Sequence, residues 1–309
     1  MMSRTFHGEH MRFFLDFKAV ALFIGAFFTM TAVLKTQEVR FLFAPPDGFT
    51  ETAHIRRGRH ITRGKNTRKD THEMDFRWTA HLKGKKYHIE RHILSNRLFS
   101  DGQIVASPML DAMVGVTLTY YIDAVGKAIE IKGYNKILAN LNSKFPPQLI
   151  QNLGDLEPLR NENLAEWHRR VGQFVGRTVH IGESWTSKDK VKLPDGDHIV
   201  SYNATVFAGW KVCREEPCMQ IHFFADSDPV NLYTRVNQAH PATLKRFNHA
   251  PRRMSNFSFE GEGESIVNPR TLRTDSEKHT RTITRVLNGG SNAGPLRVLE
   301  FNEYTTEPD

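Results

Sequence analysis

Met74, Phe76, Trp78, Ala80 and Leu82 alternate with Asp75, Arg77, Thr79 and His81. A period of two places the first set on one face of a strand, and that face must be buried. Gly84, Lys85 and Lys86 turn the chain into a second alternation, Tyr87, Ile89, Arg91 and Ile93 against His88, Glu90 and His92. Val114, Val116, Leu118, Tyr120 and Ile122 predict a third strand, and Asp123–Gly126 turns it into Ala128–Lys132. Far downstream the pattern resumes. Strands are expected over Glu183–Val191, Val200–Val212, Met219–Phe223, Leu232–Val236, Phe257–Glu264, Leu272–Val286 and Arg297–Tyr304. Strands that recur every ~10–15 residues with no helix between them pair antiparallel.

One long stretch follows the helical period instead. In Tyr134–Thr178, Asn135 is placed to cap a helix lined by Ile137, Leu138, Leu141 and Phe145, which Pro146 stops. A short second turn carries Leu149, Ile150 and Leu153. A third helix is expected from Asn163, with Glu166 completing a capping box. Leu164, Trp167, Val171, Phe174 and Val175 form its apolar stripe. Glu166, Arg169, Arg170 and Gln173 lie opposite, on the face expected to meet solvent.

The expected fold is therefore mainly β (α+β): curved antiparallel sheets, in two halves, packed on a central helical segment. The β halves span 37–133 and 179–305, the helices 134–178, and 306–309 reads as a frayed tail. Phe259–Ile266 looks like a strand–turn–strand unit comparable with Tyr120–Lys127.

Residues 1–36 have a different character. Arg12 and Lys18 precede the apolar run Ala19–Phe28. That is a signal-peptide pattern, shorter than a full membrane span, and an uncleaved anchor stays open as the alternative. Export to a periplasmic or secreted location suits the two cysteines. Cys213 and Cys218 flank an acidic turn between two strands, where facing Cβ atoms reach disulfide distance.

The 309 residues carry a net charge of +8, which favours anionic partners. Arg56, Arg57, Arg59, Arg63, Lys65, Arg68 and Lys69 make up half of the fourteen residues 56–69. Such a run suits an anionic envelope surface, or else a charged strand edge or loop. Nucleic acid is not expected, since no recognition fold is evident. Protein partners are not legible.

The strand–turn unit 120–134, the helices after it, and then Ile181-Gly182-Glu183-Ser184-Trp185-Thr186 together resemble exported bacterial proteins of unknown function. Their layout is similar to that of periplasmic lipoprotein-carrier folds. The resemblance implies a sheet around helices and acyl-chain binding inside it; it implies no catalytic residues.

Catalytic motifs are weak. Ser184 lacks the second glycine of a nucleophile elbow. His88, Glu90 and His92 share a strand face, but at about 7 Å between neighbours the outer two cannot share one ion. Glu260, Glu262 and Glu264 also share a face and offer a carboxylate pair. The expected function is a non-catalytic binding or carrier module for an apolar or anionic ligand, without cofactor or metal. Its expected lining is Trp78, Leu118, Tyr120, Leu141, Trp167, Val171 and Phe174. An envelope hydrolase using paired carboxylates and a structural protein docked on an anionic surface are the alternatives.

Overall fold

The computed structural model describes residues 38–147, 156–192, 198–241, 243, 257–285 and 295–308. The apolar segment within 1–36, the short helix carrying Leu149, Ile150 and Leu153, and the turn at 193–197 lie outside them.

In the first half the elements are β1 (Val39–Arg40), β2 (Thr50–Arg63), β3 (Asn66–Lys83), β4 (Lys86–Ser100), β5 (Gln103–Val105), α1 (Pro108–Met113), β6 (Thr117–Ile122) and β7 (Ala128–Lys132). The helical segment holds α2 (Tyr134–Lys144) and α3 (Glu157–Trp167), which runs on into a π-helical turn, His168–Gly172. Then come β8 (Thr178–Val179), β9 (Ser184–Lys192), β10 (His198–Cys213), β11 (Glu216–Asp226), α4 (Pro229–Ala239), β12 (Phe257–Val267), β13 (Thr274–Arg285) and β14 (Leu296–Pro308).

The protein is mainly β, as the alternations require. The two halves join in one twelve-stranded antiparallel sheet, ordered β7-β6-β4-β3-β2-β14-β13-β12-β11-β10-β9, with β5 on β4. The seam is β2–β14, where Ile55 faces Tyr304 and Ile61 faces Val298. The sheet stays open: among the described residues, β7 and β9 each pair on one side only. β1 pairs separately with β8.

α2 and α3 cover one face, while α4 packs on the other, where Leu232 and Val236 meet Ala204, Val206 and Phe224. Met74, Phe76 and Ala80 of β3 and Ile89, Arg91 and Ile93 of β4 are buried, and Leu82 at the strand end is exposed. The α3 stripe meets them. Trp167 is 7% exposed and Phe174 1%. The Trp167 ring lies 5.6 Å from Tyr120 and 6.2 Å from Trp78. Phe174 reaches Trp185 and Phe223 of the other half, at 6.2 and 6.5 Å. Each such buried side chain contributes about 1.5–3 kcal/mol, so the segment is held by both halves.

Several expectations fail for physical reasons. Leu232–Val236 is helix: Asp228 caps Val230 N–H at 2.8 Å, Pro229 sits in the first turn, and Leu232 and Val236 are buried at helical spacing. α3 starts six residues before Asn163, which is buried mid-helix and donates to the Tyr134 hydroxyl at 2.7 Å. α2 takes Gly133, not Asn135, as its N-cap, though it does end before Pro146. The polar side of α3 does not meet solvent throughout, because Glu166 and Arg170 are 12% and 14% exposed and paired. Phe259–Ile266 is an unbroken strand, and Leu272 lies in a loop before β13. Glu307 and Pro308 are not frayed, since they pair with Thr52 and Glu51. The basic run 56–69 is not a sheet edge and is loop only at the Gly64–Lys65 turn: it forms the hairpin of β2 and β3, and β2 is paired on both sides.

Candidate functional site

A pocket of about 110 Å³, open at one side, lies where α3 crosses β3, β4 and β6. Of the seven expected lining residues, Trp78, Tyr120, Trp167 and Val171 line it. Leu118, Leu141 and Phe174 do not; each is at most 1% exposed and belongs to the packed core. Trp78 and Tyr120 are brought to the wall by strand alternation. Their rings are 5.4 Å apart, edge to face. Phe43 closes on Trp167 from the loop after β1, at 5.5 Å.

Charge sits at the same pocket. Arg91 projects from β4, 4% exposed, with its guanidinium 4.1 Å over the Phe76 ring. Its Nη1 donates to the Tyr120 hydroxyl and to Asn163 Oδ1, each at 3.3 Å, and its Nε finds no acceptor. Arg170 lies 3.9 Å over the Tyr304 ring. Stacking on aromatic faces holds a guanidinium without an anion.

Two carboxylates behave in opposite ways. Glu166 accepts from Arg57 Nη2 and lies 3.8 Å from Arg170 Nη1. Burial alone drives its pKa up, but Arg57, Arg170 and Arg91 outweigh burial and bring it down to about 2. Arg170 continues to Glu277 at 3.5 Å; Asn302 donates to Glu277 and accepts from Arg57, both at 3.0 Å. The five side chains close a ring. Glu51 is 4% exposed, and its desolvation outweighs Arg273 and Arg214, raising its pKa to about 7. Arg214 Nη1 is 3.4 Å away and Arg273 Nε 3.8 Å.

Neither Glu51 nor Arg273 was expected at a site. Glu51 had a signal, because it alternates with Ala53 and Ile55 on the core face of β2. Arg91 likewise stood on a core face. Arg273 comes from a loop and had none.

The remaining candidates lie elsewhere. Arg56 pairs with Glu73 and Glu303 at 3.6 and 3.3 Å, and Arg59 and Arg68 with Asp70 at 3.3 and 2.9 Å. Arg57 points into the ring described above. Arg63, Lys65 and Lys69 are exposed and make no ion pair among the described residues. Glu262 pairs with Arg235 at 3.3 Å and Glu264 with Lys211 at 2.6 Å; neither lines the pocket, nor does Glu260, which is exposed. His88 packs on Tyr121 at 4.5 Å and His92 Nδ1 bonds Thr117 Oγ1 at 3.0 Å. Among the described residues no group of three His, Cys, Asp or Glu is placed to hold a metal ion. Cys213 and Cys218 lie at disulfide distance, Cα–Cα 5.8 Å, closing the β10–β11 turn.

The chain matches no family model and no curated protein.

Proposed function

We propose that this chain is a binding or carrier module that encloses the apolar body of a small ligand between α3 and the sheet. The single observation that carries the reading is the pocket itself, walled by Trp78, Tyr120 and Trp167 and open at one side. Concave, mainly aromatic sites with a few placed polar groups are where small molecules bind. An apolar cavity of about 150 Å³ holds a benzene-sized ligand. This one, of about 110 Å³, is smaller but open at one side, so the body it accepts is no more than one ring or a short acyl chain.

The hydrolase alternative has less support. Glu262 and Glu264 are already paired with cations outside the pocket. Among the described residues, the surface-docking alternative keeps Arg63, Lys65 and Lys69 of its seven residues free of ion pairs. Export remains part of the proposal, resting on the apolar run Ala19–Phe28 and the cysteine pair. Among the described residues no helix is long and apolar enough to cross a membrane.

Native mass spectrometry after gentle purification, combined with toluene titration of tryptophan fluorescence, tests the reading. Saturable quenching that is lost on filling the pocket with Val171→Phe is the expected result. A protein that takes up neither a co-purifying small molecule nor toluene is not such a module.

A further inference from the structure

The pocket's charges do not balance. Arg91, Arg170 and Arg273 line it, with Arg57 and Arg214 directly behind. Their carboxylate neighbours are Glu51, Glu166, Asp275 and Glu277. Five guanidinium groups therefore meet four carboxylates. Arg91 has no ion pair within 4 Å among the described residues; it donates to the neutral Tyr120, Asn163 and Met74 and feels Glu166 only at longer range. Arg273 is 11% exposed, yet neither its Nε nor its Nη2 has a hydrogen-bond acceptor. Among the described residues its carboxylate neighbour within 4 Å is Glu51, at 3.8 Å, which is beyond hydrogen-bond length and shared with Arg214. Buried guanidinium groups are normally paired and fully bonded, because leaving them short of acceptors is costly.

Arg273 is also held in place. Asn268 Oδ1 accepts from Arg270 N and Thr271 N at 2.9 and 3.2 Å. Asn268 N donates to the Arg273 carbonyl at 2.9 Å, and Arg273 N donates to Thr271 Oγ1 at 3.2 Å. Leu272, 2% exposed, sits between them at φ +54°, a left-handed conformation a branched residue rarely adopts. Backbone held in such a state gathers where a side chain must be positioned. The loop delivers Leu272 and Arg273 together to the pocket wall.

Resting on the pocket reading above, we propose that the ligand is a small amphipathic monocarboxylate. Its anion is held by Arg273 on the side towards Arg91, and its apolar body lies against Trp78, Tyr120 and Trp167. A planar guanidinium matches a carboxylate with two parallel hydrogen bonds, and the site is short of one negative charge. A cationic ligand would add to the excess, and a neutral one would leave it unanswered.

The test compares phenylacetate with its neutral isostere phenylacetamide on the full chain, by calorimetry and tryptophan fluorescence. The expected result is that phenylacetate binds at least tenfold more tightly. Arg273→Met should abolish that preference, bringing the affinities of the two ligands to within about twofold of each other. Arg273→Lys should retain part of the preference. Equal binding of the two ligands, or tighter binding of the amide, overturns the carboxylate assignment and leaves the pocket reading standing. Failure of both ligands and of toluene removes the pocket reading, and the assignment with it. If Arg273→Met loses its circular dichroism signature, the wild-type preference and Arg91→Met decide.

Discussion

Arg57 of β2 donates from Nη2 to Glu166 Oε1 of α3, a contact that spans 109 residues of sequence. It pins the helical segment to the seam where β2 meets β14, because Arg57 also donates to Asn302 of β14. An arginine in a run that looks like a solvated patch thus serves the interior.

Glu166→Gln tests that role. The folded pKa of about 2 lies below the ordinary value of 4.5, so its stabilisation is present above pH 4.5 and lost as the pH falls through 2. The variant should be about 3 kcal/mol less stable than wild type at pH 7, and the gap should shrink towards pH 2. Urea unfolding at pH 7 and pH 3 measures it. A gap of the same size at both pH values would show that the charge is not the cause.

Glu51 has the opposite sign. Its folded pKa of about 7 lies above the ordinary 4.5, so its favourable contribution is complete below pH 4.5 and lost as the pH rises through 7. Wild type should therefore lose about 3 kcal/mol relative to Glu51→Gln between pH 4.5 and pH 8. Denaturation midpoints of both proteins across that range provide the comparison, and parallel curves would refute the shift.

Trp167 Nε1 donates to the Gly126 carbonyl at 3.0 Å, and Gly126 adopts φ +80° with no room for a Cβ. A methyl there meets Val175 Cγ2 at 2.7 Å and Phe43 Cβ at 2.9 Å. Gly126→Ala should cost about 1–3 kcal/mol through strain and overpacking. Trp167→Phe keeps most of the ring but orphans a buried carbonyl, for a loss of about 1–3 kcal/mol. Thermal unfolding reads both, and a neutral Gly126→Ala would mean that the turn and the helix are not in contact.

Cys213 and Cys218 close a very short loop, which restricts the unfolded chain little. Cys213→Ser with Cys218→Ser should cost about 2 kcal/mol compared with oxidised wild type. Unfolding with and without a reductant measures it. A wild-type protein indifferent to reductant would mean that the two thiols are not bonded in solution.

Local order was legible in the chain, and for one reason. A residue's choice of face depends on its near neighbours, so alternation marked Met74, Phe76 and Ala80, and helical spacing marked Trp167, Val171 and Phe174. Leu232 and Val236 fit a short strand as well as one helical turn; Asp228 and Pro229 carried the deciding signal. Arg91, a polar residue on a predicted core face, was visible as an anomaly without a stated purpose; the strand that carries Glu51 was not read from the sequence, because its basic run masks the alternation.

The amino-acid sequence by itself determined that this protein is mainly β, which faces its strands bury, and that one helical segment covers them. Only the tertiary structure decided that β2 and β14 join the halves, that Arg57 turns inward to Glu166, and that Arg91 and Arg273 converge on one aromatic pocket. Periodicity reports which side of an element avoids water. It carries no record of which distant element arrives to cover that side, because that choice is set by packing and charge pairing across the whole sheet.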